Sequence, residues 1–381
     1  MCIRDSLGAA ARTDLGGGVH LTVDAVPVVD GVATVDLAAA GLPTDETSRR
    51  NIWAQLVATL TQAPNVYAVD VTVEGAAFDL PTVPGPIGSV EQLGVREAVG
   101  PSGVAPLLRI GEGVYRVDPA RVLDPGLDAI TEEGTPFPVI PEVWTDLALS
   151  FAGTEVAGVG TDRAALARWR ADRTIEVPFF ADRLTRPAYD RANVLWIGGR
   201  GTGTNADSRL WAINTAVDAT NLLASAPYPV RAPWLDGRLV RSVDVSVDGI
   251  RIAIVSTDAK GRDPQLAVAG IARRPNGLPV ALGAQPLRLG ADIAELSDAV
   301  WTSPTELAVL GRSPEETEPQ PFLVTLGDDA RALPGLDGAR AITTVGGERG
   351  LALITGEAVA LRAGTRWITI PAGTDLAVPA R

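Results

Sequence analysis

Between residue 105 and the far end of the chain, one pattern keeps returning. It is an apolar run, a tight turn, and a second run rich in Val, Ile, Leu and Ala. Leu147–Val159, Val243–Val255 and Ala299–Leu310 are its clearest copies. Tyr189–Ile197 and Ile342–Ile354 are looser ones, and Val114–Val117 supplies another. Anchored on Val114, Val156, Val194, Ile252, Leu307 and Leu351, the copies are 42, 38, 58, 55 and 44 residues apart. Propeller blades repeat at roughly 40–50 residues, and loops at 198–208, 221–239 and 256–298 absorb the two wide gaps. A long all-β chain must hide its sheet edges, and a closed radial array does so without cross-links. The expectation is a mainly β fold, a β-propeller of about six blades over 106–378.

The first part of the chain has a different rhythm. Val19–Val28 and Val32–Asp36 read as strands joined at Asp30-Gly31, a dipeptide suited to a hairpin turn. Thr44 offers an N-cap oxygen to a helix whose Ile52, Leu56 and Leu60 recur every four residues. Pro64-Asn65 ends that helix, and Val66–Gly75 follows as a β-branched strand. Residues 13–80 are therefore expected as a partial α+β domain. Residues 81–105, dense in Pro and Gly, read as a linker. Met1–Ser6 carries no charged segment followed by an apolar stretch, so it is not read as a signal peptide. We treat 1–12 as a non-native or disordered start, with the chain truncated upstream.

Composition then excludes chemistry. One cysteine (Cys2) and one histidine (His20) rule out intramolecular disulfides and the common Cys/His zinc sites. Any Ser-His-Asp or Cys-His arrangement would have to use His20. Val19, Leu21 and Val23 alternate with His20, Thr22 and Asp24, which places the histidine on a solvated strand face. The formal net charge of -13 disfavours nucleic acid and anionic headgroups. No apolar run reaches 18 residues, so no segment reads as membrane-spanning.

The remaining motifs have plain structural readings. Ser246-Val247-Asp248-Gly249 resembles the S-x-D-G turn of propeller blades, with Asp accepting backbone amides and Gly supplying positive φ. Gly198–Thr204 looks like a phosphate cradle but lacks the P-loop lysine and lies between predicted strands. Arg163, Arg168, Arg170, Arg173, Arg183 and Arg186 form either a patch for an acidic partner or solvated strand faces. Glu315, Glu316 and Glu318 read as an exposed loop. The eight tryptophans (53, 144, 169, 196, 211, 234, 301 and 367) read as inter-sheet packing. Paired carboxylates could still run glycoside hydrolysis, which needs no histidine, but sequence alone picks out no pair. No catalytic, cofactor or metal residue is nominated.

The order of segments resembles the actinobacterial lipoprotein LpqB family. Val32–Leu37, Leu56–Thr61 and Val66–Val71 look like the second half of a GerMN domain. Val243–Ser256, Ala299–Gly311 and Pro187–Gly198 match the character of the propeller that follows it. The resemblance covers roughly residues 14–370. The family's signal peptide, lipid-bearing cysteine, upstream domain and first GerMN strand and helix have no counterpart here, and Cys2 is not that cysteine. Half a GerMN domain is expected to leave an apolar face uncovered. The resemblance implies a non-enzymatic, extracytoplasmic accessory with no cofactor, held to the membrane by a lipid anchor. It further implies binding to the extracytoplasmic domain of a sensor histidine kinase (MtrB) and modulation of two-component signalling in envelope homeostasis and division. A propeller glycoside hydrolase and a passive peptidoglycan-binding module are the alternatives.

Overall fold

The computed structural model describes residues 13–16, 18–96, 103–122, 130, 137–171, 173–217, 221, 224–327, 329–370 and 372–380. The expectation for residues 1–12 lies outside them. Two compact units emerge, 12–98 and 99–381.

In the first unit, Asp30 and Gly31 both have positive φ, as a type I′ turn requires, and join β1 (Val28–Val29) to β2 (Val32–Leu37). Upstream of β1 the expected long strand is reduced to a single bridge, Leu21 to Leu37. The helix α1 spans Glu46–Leu60. Its N-cap is Asp45 rather than Thr44, because the Asp45 carboxylate reaches Ser48 N at 2.8 Å. α1 crosses over to β3 (Ala68–Val73), which pairs in parallel with β2, and β4 (Ala76–Ala77) completes the sheet. Ala33, Val35 and Leu37 alternate with Val32, Thr34 and Asp36, and Val69 and Val71 alternate with Ala68, Asp70 and Thr72. The buried set packs against Ile52, Trp53 and Val57 of α1.

Two expectations change here. Residues 81–96 are not a linker. Ile87 bridges Val69, and Ile87, Val90 and Leu93 are buried in the same core. Prolines and glycines shape that turn-rich cover, while its apolar residues hold it down. The sheet face away from α1 is also not apolar. It carries Thr34, Asp36, Asp70 and Thr72, with Thr72 Oγ1 donating to Asp36 at 2.6 Å.

The second unit is built from six radial sheets among the described residues. Blade 1 contains Trp144–Leu149, Glu155–Gly160, Leu166–Arg170 and Arg173–Val177. Blade 2 contains Ala188–Tyr189, Val194–Gly198, Leu210–Asn214 and Tyr228–Pro229. Blade 3 runs from Arg238–Val245 through Arg251–Asp258 and Gln265–Arg273 to Pro279–Leu282, with Leu287–Leu289 alongside. Blade 4 runs from Glu295–Ser303 to Ala330–Ala332, and blade 5 from Ala341–Thr344 to Arg366–Ile370. Blade 6 takes its inner strand, Asp375–Ala377, from late in the chain and its outer strands, Leu107–Ile110 and Gly113–Arg116, from early.

Closure follows from the cores. Each of six apolar clusters is shared by two neighbouring blades: 6 with 1, 1 with 2, 2 with 3, 3 with 4, 4 with 5, and 5 with 6. An open row of six sheets would have five such cores; a ring has six. The second strand of each blade feeds two cores by simple alternation. In blade 3, Ile252 and Ile254 face blade 2 while Ala253 and Val255 face blade 4. A strand buried on both faces reads as an unbroken apolar run, and those runs are what the sequence repeats.

Candidate functional site

A propeller's inner strands turn one edge toward the central channel, where backbone N–H groups lack a neighbouring strand and need other partners. This chain meets the need with aspartates that reach across blade junctions. Asp244 of blade 3 accepts from Trp301 N of blade 4 at 2.8 Å. Asp298 of blade 4 accepts from Ile342 N of blade 5 at 2.9 Å. Asp375 of blade 6 accepts from Leu147 N of blade 1 at 2.8 Å, closing the ring.

Arg186, just ahead of blade 2, ties three blades together. Its Nη2 donates to Asp375 at 2.5 Å and to Leu376 O at 3.0 Å, and its Nε donates to Leu147 O at 3.3 Å. Burial opposes the guanidinium charge, but Asp375, Asp146 and Asp298 outweigh it and raise the pKa. Asp298 goes the other way. Burial pushes its carboxyl above the ordinary value of 3.8, against hydrogen bonds from Ser242 and Ile342 and the charge of Arg186.

Arg186, Asp244 and Asp298 border a cavity of about 80 Å³, lined by residues of all six blades and by Val378–Ala380. Pro379 bridges Leu149, and Ala380 N donates to Leu149 O at 3.2 Å, so this segment packs against blade 1 beside the cavity. Ligand pockets run roughly 300–1,000 Å³. The channel therefore holds carboxylates, as the hydrolase alternative required, but they are engaged by amides, a hydroxyl and a guanidinium around a space far below substrate size.

Two further buried ionic groups brace the junctions. Glu155 and Arg168, each 1% exposed in the side chain, form a bidentate pair at 2.9 and 3.0 Å. Arg170 and Tyr189 also donate to Glu155, at 2.9 and 2.8 Å, and Arg170 reaches Thr215 O of blade 2 at 2.5 Å. Asp190 accepts from Trp196 Nε1 at 2.9 Å and from Arg273 of blade 3 at 2.6 Å. A larger cavity, about 360 Å³, lies at the junction of blades 2 and 3 between Asp207–Leu210 and Pro229–Asp236.

The residues singled out from sequence take these places. His20 is exposed and its Nδ1 lies 3.1 Å from Gly18 O, remote from any base or nucleophile role. In the S-x-D-G turn, Asp248 accepts from Ile250 N and pairs with Arg251 at 2.6 Å, and Gly249 has φ +72°, so the turn is structural. Gly198–Thr204 is an inter-strand loop. Arg200–Gly201 pairs with Ala181–Asp182, and a Cβ on Gly201 would lie 1.9 Å from Asn205 O. The arginine cluster is not a patch: Arg163 pairs with Asp146, Arg168 and Arg170 with Glu155, and Arg186 with Asp375. Arg173 and Arg183 of that group are exposed. Glu315, Glu316 and Glu318 are exposed. No tryptophan is exposed; Trp53, Trp169, Trp196 and Trp211 are fully buried.

The channel aspartates went unread in the sequence. For Asp244 the signal was an Asp between apolar residues inside a strand, Val243-Asp244-Val245, where strands normally deplete Asp; Asp298 and Asp375 follow Ser297 and Thr374 and carry no such mark.

Comparison with known proteins gives a consistent picture. The family model described as the lipoprotein LpqB β-propeller domain matches residues 133–380. The Germane model, described as sporulation and spore germination, matches residues 4–79. A protein named Lipoprotein LpqB from Streptomyces coelicolor is 33% identical over 135 residues, covering 35% of this chain and 20% of the relative. Its namesake from Thermobifida fusca is 26% identical over 370 residues, covering 84% of this chain and 54% of the relative. The chain thus spans about half the length of the curated relatives it matches most fully. An oligogalacturonate lyase in complex with manganese is 14% identical with a TM-score of 0.42, covering 72% of this chain and 76% of that one. A likeness at that level carries no argument about chemistry.

Proposed function

The chain belongs to the LpqB lipoprotein family, and on that premise we propose that it is a non-enzymatic, extracytoplasmic accessory of a sensor histidine kinase (MtrB-like). In this reading it is held at the cell membrane by a lipid anchor. It binds the sensor's extracytoplasmic domain and modulates two-component signalling in envelope homeostasis and division. One observation carries the reading. The lumen, where propeller enzymes could gather reactive groups, spends its acids and its arginine on joining blades around about 80 Å³. That leaves the outer surface of a rigid ring as the working part. A ring of this kind shifts a sensor between two states only by binding one of them better.

The test is a titration of the full chain against the sensor's extracytoplasmic domain, with a peptidoglycan sedimentation assay in parallel. Saturable sensor binding, with a changed autophosphorylation rate in vesicles holding the intact sensor, supports the reading. No sensor binding at high micromolar concentration overturns it. Peptidoglycan binding without any effect on the kinase points to the passive envelope module instead.

A further inference from the structure

We propose that the cavity at the junction of blades 2 and 3 binds a small zwitterion with an apolar side chain, a free amino acid or an unblocked short peptide. At about 360 Å³ it falls within the usual span of ligand pockets, roughly 300–1,000 Å³. Its floor is apolar, because Leu210, Val230 and Leu235 are buried there. Its lining also carries charges of both signs that the fold leaves unused. Among the described residues, the side chains of Asp207, Arg231 and Asp236 make no hydrogen bond or ion pair, and all three are exposed. Arg209 anchors Nε on Arg238 O at 3.0 Å and Nη1 on Ala206 O and Ser208 O at 2.6 and 2.9 Å, which leaves Nη2.

The frame around these charges is fixed by backbone bonds. Arg231 N donates to Val280 O at 3.2 Å and Leu282 N donates to Arg231 O at 2.8 Å, so the outer strand of blade 3 holds Arg231 on both sides. Asp236 closes the short helical turn Pro233–Leu235, its N donating to Pro233 O at 3.1 Å. Next to Asp207, Ser208 N donates to Asn205 O at 2.9 Å. The lining then selects the guest. A guanidinium takes a carboxylate through paired N–H donors, and aspartates take an ammonium. An inorganic anion would meet Asp207 and Asp236, and a metal cation would meet Arg209 and Arg231. A zwitterion answers both signs at once, while its side chain covers the apolar floor. This inference is independent of the sensor reading.

Isothermal titration of the full chain with leucine and with the tripeptide Ala-Leu-Ala tests it, each probe free and with its amino or carboxyl end blocked. The expected result is saturable binding of a free probe in the millimolar range or tighter, lost when either end is blocked; the tighter probe identifies the guest as amino acid or peptide. Arg231→Ala and Asp236→Ala should each weaken that binding about tenfold, with the thermal melt unchanged because neither side chain bonds within the fold. No binding of either free probe at high millimolar concentration, binding indifferent to blocked ends, or binding untouched by both variants overturns the proposal.

Discussion

Replacing Glu155 with Gln isolates the buried ionic group between blades 1 and 2. The carboxylate receives two bonds from Arg168, one from Arg170 and one from Tyr189. Gln keeps the shape but offers one acceptor oxygen, and its amide donors then oppose guanidinium donors. Arg168, 1% exposed, is left as a buried cation without a counter-charge. Breaking such a pair from one side costs about 3–5 kcal/mol. At about 2–4 °C per kcal/mol for domains of this size class, the propeller transition should fall by on the order of 10 °C. Differential scanning calorimetry of the full chain reads it directly, because the larger unit carries the larger enthalpy. Glu155→Met combined with Arg168→Met should cost less than Glu155→Gln alone, since removing both charges leaves neither buried and unpaired. A fall of under about 1 kcal/mol for the Gln variant, or a double variant equal to the sum of its singles, would refute the assignment of this energy to ion pairing.

The other expectations are smaller in scope. Asp375→Ala strips the ring-closing acceptor from Leu147 N and strands Arg186, so the urea midpoint of the propeller should drop by the equivalent of about 3–5 kcal/mol. Gly201→Ala, driven against the Asn205 carbonyl, should cost about 1–3 kcal/mol by thermal melting. Gly203→Ala, in open space at φ +58°, should lose only the backbone strain of about 1–2 kcal/mol. Asp36 is held below its ordinary carboxylate value of 3.8 by Thr22 and Thr72 hydroxyls and the Gly75 amide. Its stabilising contribution is therefore complete above that ordinary value and vanishes as pH falls through the lowered one. Asp36→Asn should have a lower urea midpoint than the parent at neutral pH, and the two should converge as pH falls through the lowered value; a gap that persists in strong acid would show that ionisation is not its source.

The sequence made legible whatever alternation writes plainly. Val156, Val194, Ile252, Leu307 and Leu351 are each in the second strand of their blade. Val114 is one strand out, because blade 6 borrows its first strand from residues 375–377 and the count from the N-terminal side starts late. Residues 81–96 were obscured by their prolines and glycines, which signal turns equally well whether the turns hang free or pack on a core. Charged side chains were least legible. Arg163, Arg168, Arg170 and Arg186 cluster in sequence as a surface patch would, yet their partners Asp146, Glu155 and Asp375 are fixed by the fold, up to 189 positions away. The channel aspartates each answer an amide in another blade, a relation that appears only once the ring exists.

The mixed parentage of blade 6 sets the order of events at synthesis. Leu107–Ile110 leaves the ribosome long before Asp375–Ala377, and until that late strand arrives the early one has a bare hydrogen-bonding edge and a half-covered apolar face. Folding of the ring therefore ends with its longest-range contact, the slowest kind to form. Until that strand is made, the nascent chain must be kept from self-association.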